Sequence, residues 1–169
     1  VKTAWAGGRV TANAAVFRIA WNDLQLNVPD PAVPAQFYIA NVGGPVSKGL
    51  QFELPARVQP GLDLFSAVGY TDARFKEGSI SSGVNVAGNE IPNTPDYTAT
   101  FGAHLSHGLR ADETVYARAE MTLYGAFKYD DLNTAEQSAY SLANVRAGLR
   151  HRYVFAEAWV RNVFETRYI

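Results

Sequence analysis

The chain of 169 residues has no cysteine, few charged side chains and no long apolar run. Without cysteine it can form no disulfide framework, thiolate metal site or cysteine nucleophile, although this lack leaves its compartment open. Charged residues make up 18% of the chain, compared with about 25% in an ordinary soluble domain. The formal net charge of −1 gives no electrostatic reason to expect a nucleic-acid partner or a polybasic membrane anchor.

Apolar residues make up 47% of the chain, yet no run approaches the roughly 18 residues that a membrane-spanning helix needs. Any residence in a membrane would therefore depend on strands. The 14 glycines and 8 prolines follow no repeat and form no low-complexity segment, so we expect one continuous array. The chain begins at Val1 without methionine or a signal-type segment, and we expect it to be a piece of a longer protein.

Alternation with a period of two residues is clearest at residues 114–130, where one face is wholly apolar and the other is largely polar. Residues 97–109 and 48–58 repeat the pattern. Strands this long are unusual, because an ordinary strand has about five or six residues. The pattern predicts about eight strands, at residues 1–6, 10–26, 37–58, 62–75, 97–109, 114–129, 138–150 and 153–164.

The connections between these strands alternate in length. Tight turns are predicted at 7–9, 59–61, 110–113 and 151–152, and long loops at 27–36, 76–96 and 130–137. Short turns at one rim and long loops at the other are typical of outer-membrane barrels. The aromatic residues predict two interfacial bands, one near the long loops (Trp21, Phe37, Tyr38, Phe75, Tyr97, Phe127, Tyr129) and one near the tight turns (Trp5, Tyr153, Phe155).

Hairpin register supports this interpretation, because residues that face each other across a hairpin point to the same side of the sheet. A turn centred on Pro60 places Arg57 opposite Asp63, and pairs Val58 with Leu62, Ala56 with Leu64 and Phe52 with Val68. A turn at His151 and Arg152 pairs Leu149 with Val154, Ala147 with Ala156 and Val145 with Ala158, and places Arg146 opposite Glu157. If the 130–137 loop is symmetric about Asn133, Glu120 also faces Arg146. The prediction is a polar row of Glu120, Arg146 and Glu157, which needs water or a wet interior.

The chain shows no recognisable catalytic or cofactor motif, and we expect it to be neither an enzyme nor a cofactor binder. His104 and His107 are three residues apart in a predicted strand, so they point to opposite faces and cannot chelate one ion. Ser106 diverges from His107 for the same reason, which argues against a hydrolase triad. Asp130, Asp131 and the nearby Asn133 could hold a divalent cation, but a solvated loop tip is the favoured interpretation.

The order of motifs resembles the C-terminal part of the barrel of TonB-dependent outer-membrane receptors. Seven segments carry the resemblance: 17–23 (FRIAWND), 41–53 (NVGGPVSKGLQFE), 61–62 (GL), 69–73 (GYTDA), 88–97 (GNEIPNTPDY), 140–148 (YSLANVRAG) and 162–168 (NVFETRY). The segment at 88–97 is most similar to the ferric-siderophore branch. Gln51 stands where the family often has glutamate, and Pro55 interrupts a strand, so we expect a bulge or kink there.

The resemblance implies an all-β fold, an antiparallel, up-and-down transmembrane β-barrel of about 22 strands in the outer membrane of a Gram-negative bacterium. Residues 1–169 would form a partial β-barrel domain that supplies about eight strands, and the plug domain, the box that binds the energy transducer and the final strand would lie outside them. The implied partners are a ferric siderophore or similar metal chelate, the N-terminal plug, the energy-transducing protein TonB and membrane lipid.

The resemblance and the strand parity together give two groups of candidate residues. The first would line the interior and face the plug: Glu53, Arg118, Glu120, Arg146, Arg150 and Glu157. The second would lie in extracellular loops that capture ligand: Phe37, Tyr38, Asn89, Glu90, Asp130 and Asp131. A passive porin-like channel, a barrel enzyme and a soluble β-sandwich are the alternatives to an active importer.

Overall fold

The computed structural model describes residues 1–30, 32–33 and 35–169. Pro31 and Pro34, which belong to the predicted 27–36 loop, lie outside the described residues. Strands are the regular elements of the described chain: β1 (Lys2–Trp5), β2 (Val10–Ala20), β3 (Leu24–Pro29), β4 (Phe37–Gly43), β5 (Pro45–Glu53), β6 (Ala56–Gln59), β7 (Leu62–Phe75), β8 (Ile80–Ser81), β9 (Val84–Asn85), β10 (Tyr97–Arg110), β11 (Glu113–Tyr124), β12 (Phe127–Lys128), β13 (Glu136–Gln137), β14 (Tyr140–His151) and β15 (Val154–Val160). No helix long and apolar enough to cross a membrane occurs in this part of the chain.

Nine strands form one antiparallel sheet in the order β1-β2-β5-β7-β10-β11-β14-β15, with β6 paired to both β2 and β7. Sequence neighbours lie side by side, which confirms the predicted up-and-down arrangement. Three further hairpins, β3-β4, β8-β9 and β12-β13, lie in the connections at one end of the sheet. The predicted alternation of tight turns and long connections is therefore present, but the long connections are themselves folded.

Register places the apolar side chains on one face of the sheet. Val16, Leu50 and Tyr70 are successive cross-strand partners on that face, and Tyr97 follows Tyr70. The side chains on this face are largely uncovered by protein, as shown by Val16, which is 87% exposed. The opposite face carries charged side chains such as Arg118, Glu120 and Arg146. Arg18, Lys48 and Asp72 lie on the apolar face, where it approaches the long connections. The sheet therefore has an apolar face and a polar face, as the period of two residues predicted.

Several predicted strands are wrong in extent because single residues break them. The predicted strand 10–26 stops at Ala20, and the chain bends through Asp23, which has a φ of 55°, before β3 begins. The predicted strand 37–58 is divided at Gly44 and again at Pro55. Similarly, the 114–129 strand stops at Tyr124 and resumes as β12.

Pro55 confirms the expected interruption, because proline has no backbone N–H to donate to a neighbouring strand. Strand β5 ends at Glu53 and β6 begins at Ala56. The ladder nevertheless continues around the break, since the Pro55 carbonyl accepts a 3.0 Å hydrogen bond from Thr11 N. The kink is confined to two residues.

The predicted registers are confirmed at the centre of one hairpin and wrong near both turns. Arg57 faces Asp63 as expected, and the pairs Ala56–Leu64 and Phe52–Val68 also form. Leu62 pairs with Gln59 rather than Val58, because a bulge lies between Arg57 and Gln59. Such a bulge adds one residue to one strand of the pair.

At the last hairpin, the predicted turn was placed one residue too early. His151 pairs with Val154, so the two turn residues are Arg152 and Tyr153, and Arg146 faces Trp159 rather than Glu157. The three apolar pairs predicted here are shifted in the same way: Leu149 with Ala156, Ala147 with Ala158, and Val145 with Val160. Arg152 is held in the turn by the neighbouring Asp112, whose backbone and carboxylate oxygens accept hydrogen bonds from Arg152 N (3.1 Å) and Nε (2.9 Å). The shift of two residues leaves every side chain on its predicted face.

The predicted aromatic bands are correct only in part. Tyr97 lies beside Tyr70 on the apolar face near the long connections, and Trp5 lies on the same face near the tight turns. Phe75, in contrast, is only 3% exposed and belongs to a buried cluster. Phe155 pairs with Arg150 and so shares the polar face.

The predicted strand 153–164 ends at Val160 because Asn162 turns the chain. Asn162 has a φ of 50°, its Nδ2 donates to Thr166 O at 2.9 Å, and its Oδ1 accepts from Thr166 N at 2.9 Å. Beyond this turn the Tyr168 ring stacks on Tyr140 at 4.8 Å. Tyr140 also stacks on Tyr124, again at 4.8 Å. The stacked rings fasten the segment after β15 to the sheet.

Three glycines on the polar face lie beneath aromatic rings of the neighbouring strand. Gly49 pairs with Phe17, Gly102 with Phe65, and Gly148 with Tyr116. A Cβ built on Gly102 would lie 2.4 Å from both the Phe65 ring and the Ala119 carbonyl oxygen. Glycine is required here because the ring and the backbone already fill the space that a side chain would need.

We expect Gly102→Ala to destabilise the full-length protein by about 1–3 kcal/mol, the usual cost of overpacking. Gly108→Ala is the matched control, because Gly108 lies on the same strand and has no atom within 4 Å of a built Cβ. Urea unfolding of the purified protein, followed by tryptophan fluorescence, measures both. Equal midpoints for the two variants would show that the ring does not constrain Gly102.

Candidate functional site

Chemistry-bearing residues gather in two regions, the polar face of the sheet and a folded layer of loops at its end. The six residues predicted to face the interior, Glu53, Arg118, Glu120, Arg146, Arg150 and Glu157, all lie on the polar face by their strand register. Their predicted contact with a plug remains a prediction. The loop layer consists of the β3-β4 hairpin, residues 76–96 and residues 125–139.

Glu120, Arg146 and Glu157 are not the direct cross-strand neighbours that the predicted row requires. Arg146 faces Arg118 directly, and Glu120 faces Asn144. The prediction failed because Tyr124 pairs with Tyr140, which centres the connection on residue 132 and not on Asn133. A shift of one residue in the centre moves every partner by two positions.

Two other contacts bring predicted charged residues together, one along strand β11 and one diagonally between β14 and β15. Arg118 donates from Nε and Nη2 to Glu120 Oε2, at 3.1 and 2.9 Å. Arg146 Nη1 lies 3.8 Å from Glu157 Oε2. The same glutamate oxygen accepts a 2.7 Å hydrogen bond from the Tyr116 hydroxyl. The Arg118 guanidinium also lies over the Phe65 ring, 4.2 Å from its centroid, a cation–π contact.

The remaining interior candidates make fewer contacts. Glu53 Oε2 accepts a 3.2 Å hydrogen bond from Asn13 Nδ2 across the β2-β5 pair. Arg150 faces Thr114 on one side and Phe155 on the other. Glu53 lies on β5, apart from the other five candidates, and Arg150 lies near the tight-turn end of β14.

The loop layer contains the hydrophobic cluster found in the described part of the chain. Val28 and Val42 of the β3-β4 hairpin pack with Phe75 and with Val86 of the 76–96 connection, and all four are at most 3% exposed. Burying each such side chain contributes about 1.5–3 kcal/mol. Phe75 has the parity of the polar face, so the loops fold over that side of the sheet.

Arg74 joins strand β7 to the loop layer through three hydrogen bonds. Its Nε donates to Asp72 at 2.9 Å, its Nη1 to the Gly88 carbonyl at 3.0 Å, and its Nη2 to Glu90 at 3.2 Å. Asp72 also pairs with Lys48 at 3.1 Å. The planar fork of arginine suits this role because it can donate in several directions at once.

Asn133 joins two connections that are more than forty residues apart in sequence. Its Oδ1 accepts from Glu90 N at 2.8 Å, and its Nδ2 donates to the Glu90 and Asp130 carbonyls, both at 3.0 Å. Asn89 Nδ2 adds a 2.9 Å bond to the Asp131 carbonyl. The 76–96 and 130–137 connections therefore form one unit.

Asp130 holds the second of these connections in shape. Its carboxylate accepts hydrogen bonds from the backbone N–H of Thr134 (3.0 and 3.1 Å), from the Thr134 hydroxyl (3.0 Å) and from the backbone N–H of Ala135 (2.7 Å). Burial raises the pKa of this carboxyl, but the hydrogen bonds from Thr134 and Ala135 outweigh burial and hold the pKa below its ordinary value.

The structure thus separates the six predicted ligand-capture residues into two kinds. Phe37 and Tyr38 are exposed on β4, at 60% and 42%. Asn89, Glu90 and Asp130 are engaged in the bonds that fold the loops, and Asp131 is 6% exposed. The sequence reasoning missed Arg74 and the joining role of Asn133; the alternation of Leu24, Leu26 and Val28 was the signal for the β3-β4 hairpin.

The described residues contain no group of three or more His, Asp or Glu side chains that could hold a metal ion. His104 pairs with Arg118 and His107 with Val115, so the two histidines lie on opposite faces, as the strand parity predicted. The polar face and the loop layer offer ionic, hydrogen-bonding and aromatic groups for noncovalent binding.

A family model described as TonB dependent receptor-like, beta-barrel matches residues 1–163. The chain belongs to this family. The match covers the sheet and the loop layer together, and it confirms the resemblance inferred from the seven sequence segments.

Solved receptors of similar fold cover nearly the whole chain. The ferric yersiniabactin uptake receptor FyuA from Yersinia pestis has a TM-score of 0.80 at 23% identity, over 99% of this chain and 24% of its own. The siderophore receptor PiuA from Acinetobacter baumannii has a TM-score of 0.70 at 21% identity, over 99% and 24%. The ferripyoverdine receptor of the outer membrane of Pseudomonas aeruginosa has a TM-score of 0.59 at 17% identity, over 99% and 22%. The chain therefore spans about a quarter of the length of these receptors, and the similarity shows their common fold.

We expect Asn133→Gly to loosen the loop layer of the full-length receptor while leaving the sheet intact. Glycine keeps the φ of 58° that Asn133 adopts but removes the three side-chain hydrogen bonds. Limited proteolysis of the purified protein should cut within residues 76–96 faster than in the wild type. Asn133→Ala adds backbone strain; if only this variant were cut faster, the backbone and not the side-chain bridge would be the important feature.

The lowered pKa of Asp130 predicts acid sensitivity of its loop. A depressed folded-state pKa stabilises the folded loop above the unfolded pKa of about 3.9, and this contribution is lost as the pH falls through the folded value. Hydrogen exchange at the Thr134 and Ala135 amides, corrected for intrinsic rates, should show this loss in the wild type. Asp130→Asn should be less protected at neutral pH and should show no such transition, whereas a matching acid transition in this variant would exclude Asp130 as its cause.

Proposed function

We propose that this chain is part of an outer-membrane receptor that binds a scarce nutrient, a ferric siderophore or similar chelate, and imports it with energy from an inner-membrane complex. The observation that carries the proposal is an antiparallel sheet of long strands with an uncovered apolar face, a charged opposite face and a folded loop layer at one end. The match to the receptor family covers all three features. Its ligand class is supported by the siderophore receptors that share its fold.

The apolar face suits lipid as its surroundings. Large aliphatic side chains such as Val16 and Leu50 are exposed on it, and such a continuous apolar surface would be unfavourable in water. Tyr70 and Tyr97 lie beside each other where this face meets the charged residues Lys48 and Asp72. Aromatic residues prefer that position at the boundary between lipid and water.

The polar face supports an interior that holds a plug. Its arginines and glutamates need water or polar partners, and a large outer-membrane barrel provides both in its plugged lumen. The strands β1 and β15 end the sheet with unpaired edges among the described residues. Pairing with further strands of the same receptor would satisfy those backbone groups, as lipid requires.

The loop layer supports ligand capture at the outer mouth. It folds over the polar side of the sheet, and Phe37 and Tyr38 pair with Pro29 and Val28 in the β3-β4 hairpin, which the buried cluster holds in place. A preorganised framework reduces the entropy that binding would otherwise cost. Binding followed by rearrangement of the plug accounts for import without covalent chemistry, so we propose no enzymatic activity.

Deletion of the full-length gene should reduce accumulation of radioactive iron from at least one member of a panel of ferric chelates, and the wild-type gene should restore it. Collapse of the proton gradient with an uncoupler should abolish the same uptake, because import is energised from the inner membrane. Undiminished uptake of every chelate after deletion would overturn the siderophore proposal. Uptake that depends on the gene but not on the proton gradient would favour a passive channel.

A further inference from the structure

Charged side chains replace apolar ones where the apolar face of the sheet approaches the loop layer. Arg18, Lys48 and Asp72 are successive cross-strand partners there, so they form one row across three strands. The row lies two residues, or roughly 7 Å of strand, beyond the apolar row that contains Leu50. We term the following five residues the rim cluster: Arg18, Lys48, Asp72, Arg74 and Glu90.

The cations of the rim cluster are more exposed than its carboxylates. The side chains of Lys48 and Arg74 are 63% and 49% exposed, whereas those of Asp72 and Glu90 are 24% and 25% exposed. Both oxygens of Asp72 are engaged, Oδ2 by Lys48 at 3.1 Å and Oδ1 by Arg74 at 2.9 Å. The surface that the cluster presents to its surroundings is therefore positive.

Lys48 faces a second cation on the other side of its strand. Arg18 on β2 is its direct cross-strand partner, and like charges in that position are destabilising. Asp72 is poorly placed to relieve this repulsion, because it lies two strand spacings, roughly 10 Å, from Arg18 and already binds two cations. An anion over Arg18 and Lys48 would remove the repulsion and accept hydrogen bonds from both side chains.

The apolar row next to the rim cluster indicates an anion with an apolar tail. Val16 and Leu50, two residues along the same strands toward the tight-turn end, are 87% and 48% exposed on the same face. A lipid whose phosphate contacts Arg18 and Lys48 would place its acyl chains against these two side chains. A chelate that passes through the interior would meet the opposite face. Phosphate also suits a paired arginine and lysine, because its oxygens accept charge-assisted hydrogen bonds from both.

We propose that Arg18 and Lys48 bind the phosphate headgroup of a lipid in the outer leaflet of the membrane. The proposal rests on the proposed function, from which it takes the membrane and the orientation that places the long connections outside. Clusters of basic residues at a membrane surface bind anionic lipid headgroups in this way. The rim cluster would thus hold a specific lipid against the wall of the receptor.

The test is native mass spectrometry of the purified full-length receptor in a neutral, phosphate-free detergent, across a titration with lipid A. The wild type should bind lipid A that carries both phosphates about tenfold more tightly than the same lipid after both phosphates are removed. Arg18→Gln with Lys48→Gln should abolish this preference. Lys2→Gln with Arg110→Gln is the matched control and should keep it, because Lys2 lies on the polar face and Arg110 at a tight turn.

Equal binding of the two forms of lipid A by the wild type would overturn this inference, as would an unchanged preference in the double variant. Inorganic phosphate that displaces lipid A at a concentration equal to that of the lipid would also overturn it, because the acyl chains would then contribute nothing. If the double variant fails to reach the heat-resistant folded form on gels, Lys48→Gln alone should weaken the preference. An unchanged preference in that single variant would overturn the inference.

Uptake of radioactive iron separates this inference from the proposed function. Uptake that depends on the gene, together with no preference for the phosphorylated lipid, would overturn the lipid site alone. Undiminished uptake of every chelate after gene deletion, together with a clear lipid preference, would overturn the siderophore proposal and support the lipid site.

Discussion

The antiparallel backbone ladder is the constraint on which the rest of this structure depends. Each strand must pair its N–H and C=O groups with a neighbour, and pairing fixes which side chains share a face. Because the apolar residues keep their period of two residues from β2 through β15, register collects them on one face. Charged residues of the opposite parity, such as Arg118 and Arg146, lie on the other face by the same rule, whereas Lys48 and Asp72 lie on the apolar face near the loop layer.

The two faces need different surroundings, and this explains the unusual composition. A soluble sheet of this size would cover an apolar face with a second layer, whereas Val16 and Leu50 are uncovered in the described structure. Lipid would surround such a face without burying any unpaired polar group. The few charged side chains can then gather on the opposite face, where Arg118, Glu120 and Glu157 contact one another or a neighbouring tyrosine.

The loop layer follows a different principle. Its cluster of Val28, Val42, Phe75 and Val86 is a small hydrophobic core of the kind found in soluble proteins. Amide side chains, chiefly Asn89 and Asn133, then join segments that are remote in sequence. One chain thus combines a sheet that is stabilised mainly by its backbone hydrogen bonds with a loop layer that is stabilised by its own packing.

The sequence by itself determined the all-β class, the order of the long strands in the sheet and the alternation of faces along each strand, because alternation is a local property of the chain. The tertiary structure decided the partners. A bulge at Val58, the position of the turn at Arg152 and Tyr153, and the centre of the 130–137 connection each moved a register by one or two residues, and the last placed Arg146 opposite Arg118. Hydrogen bonds such as that between Asn133 and Glu90 join segments that are distant in sequence, and local periodicity carries no information about such contacts.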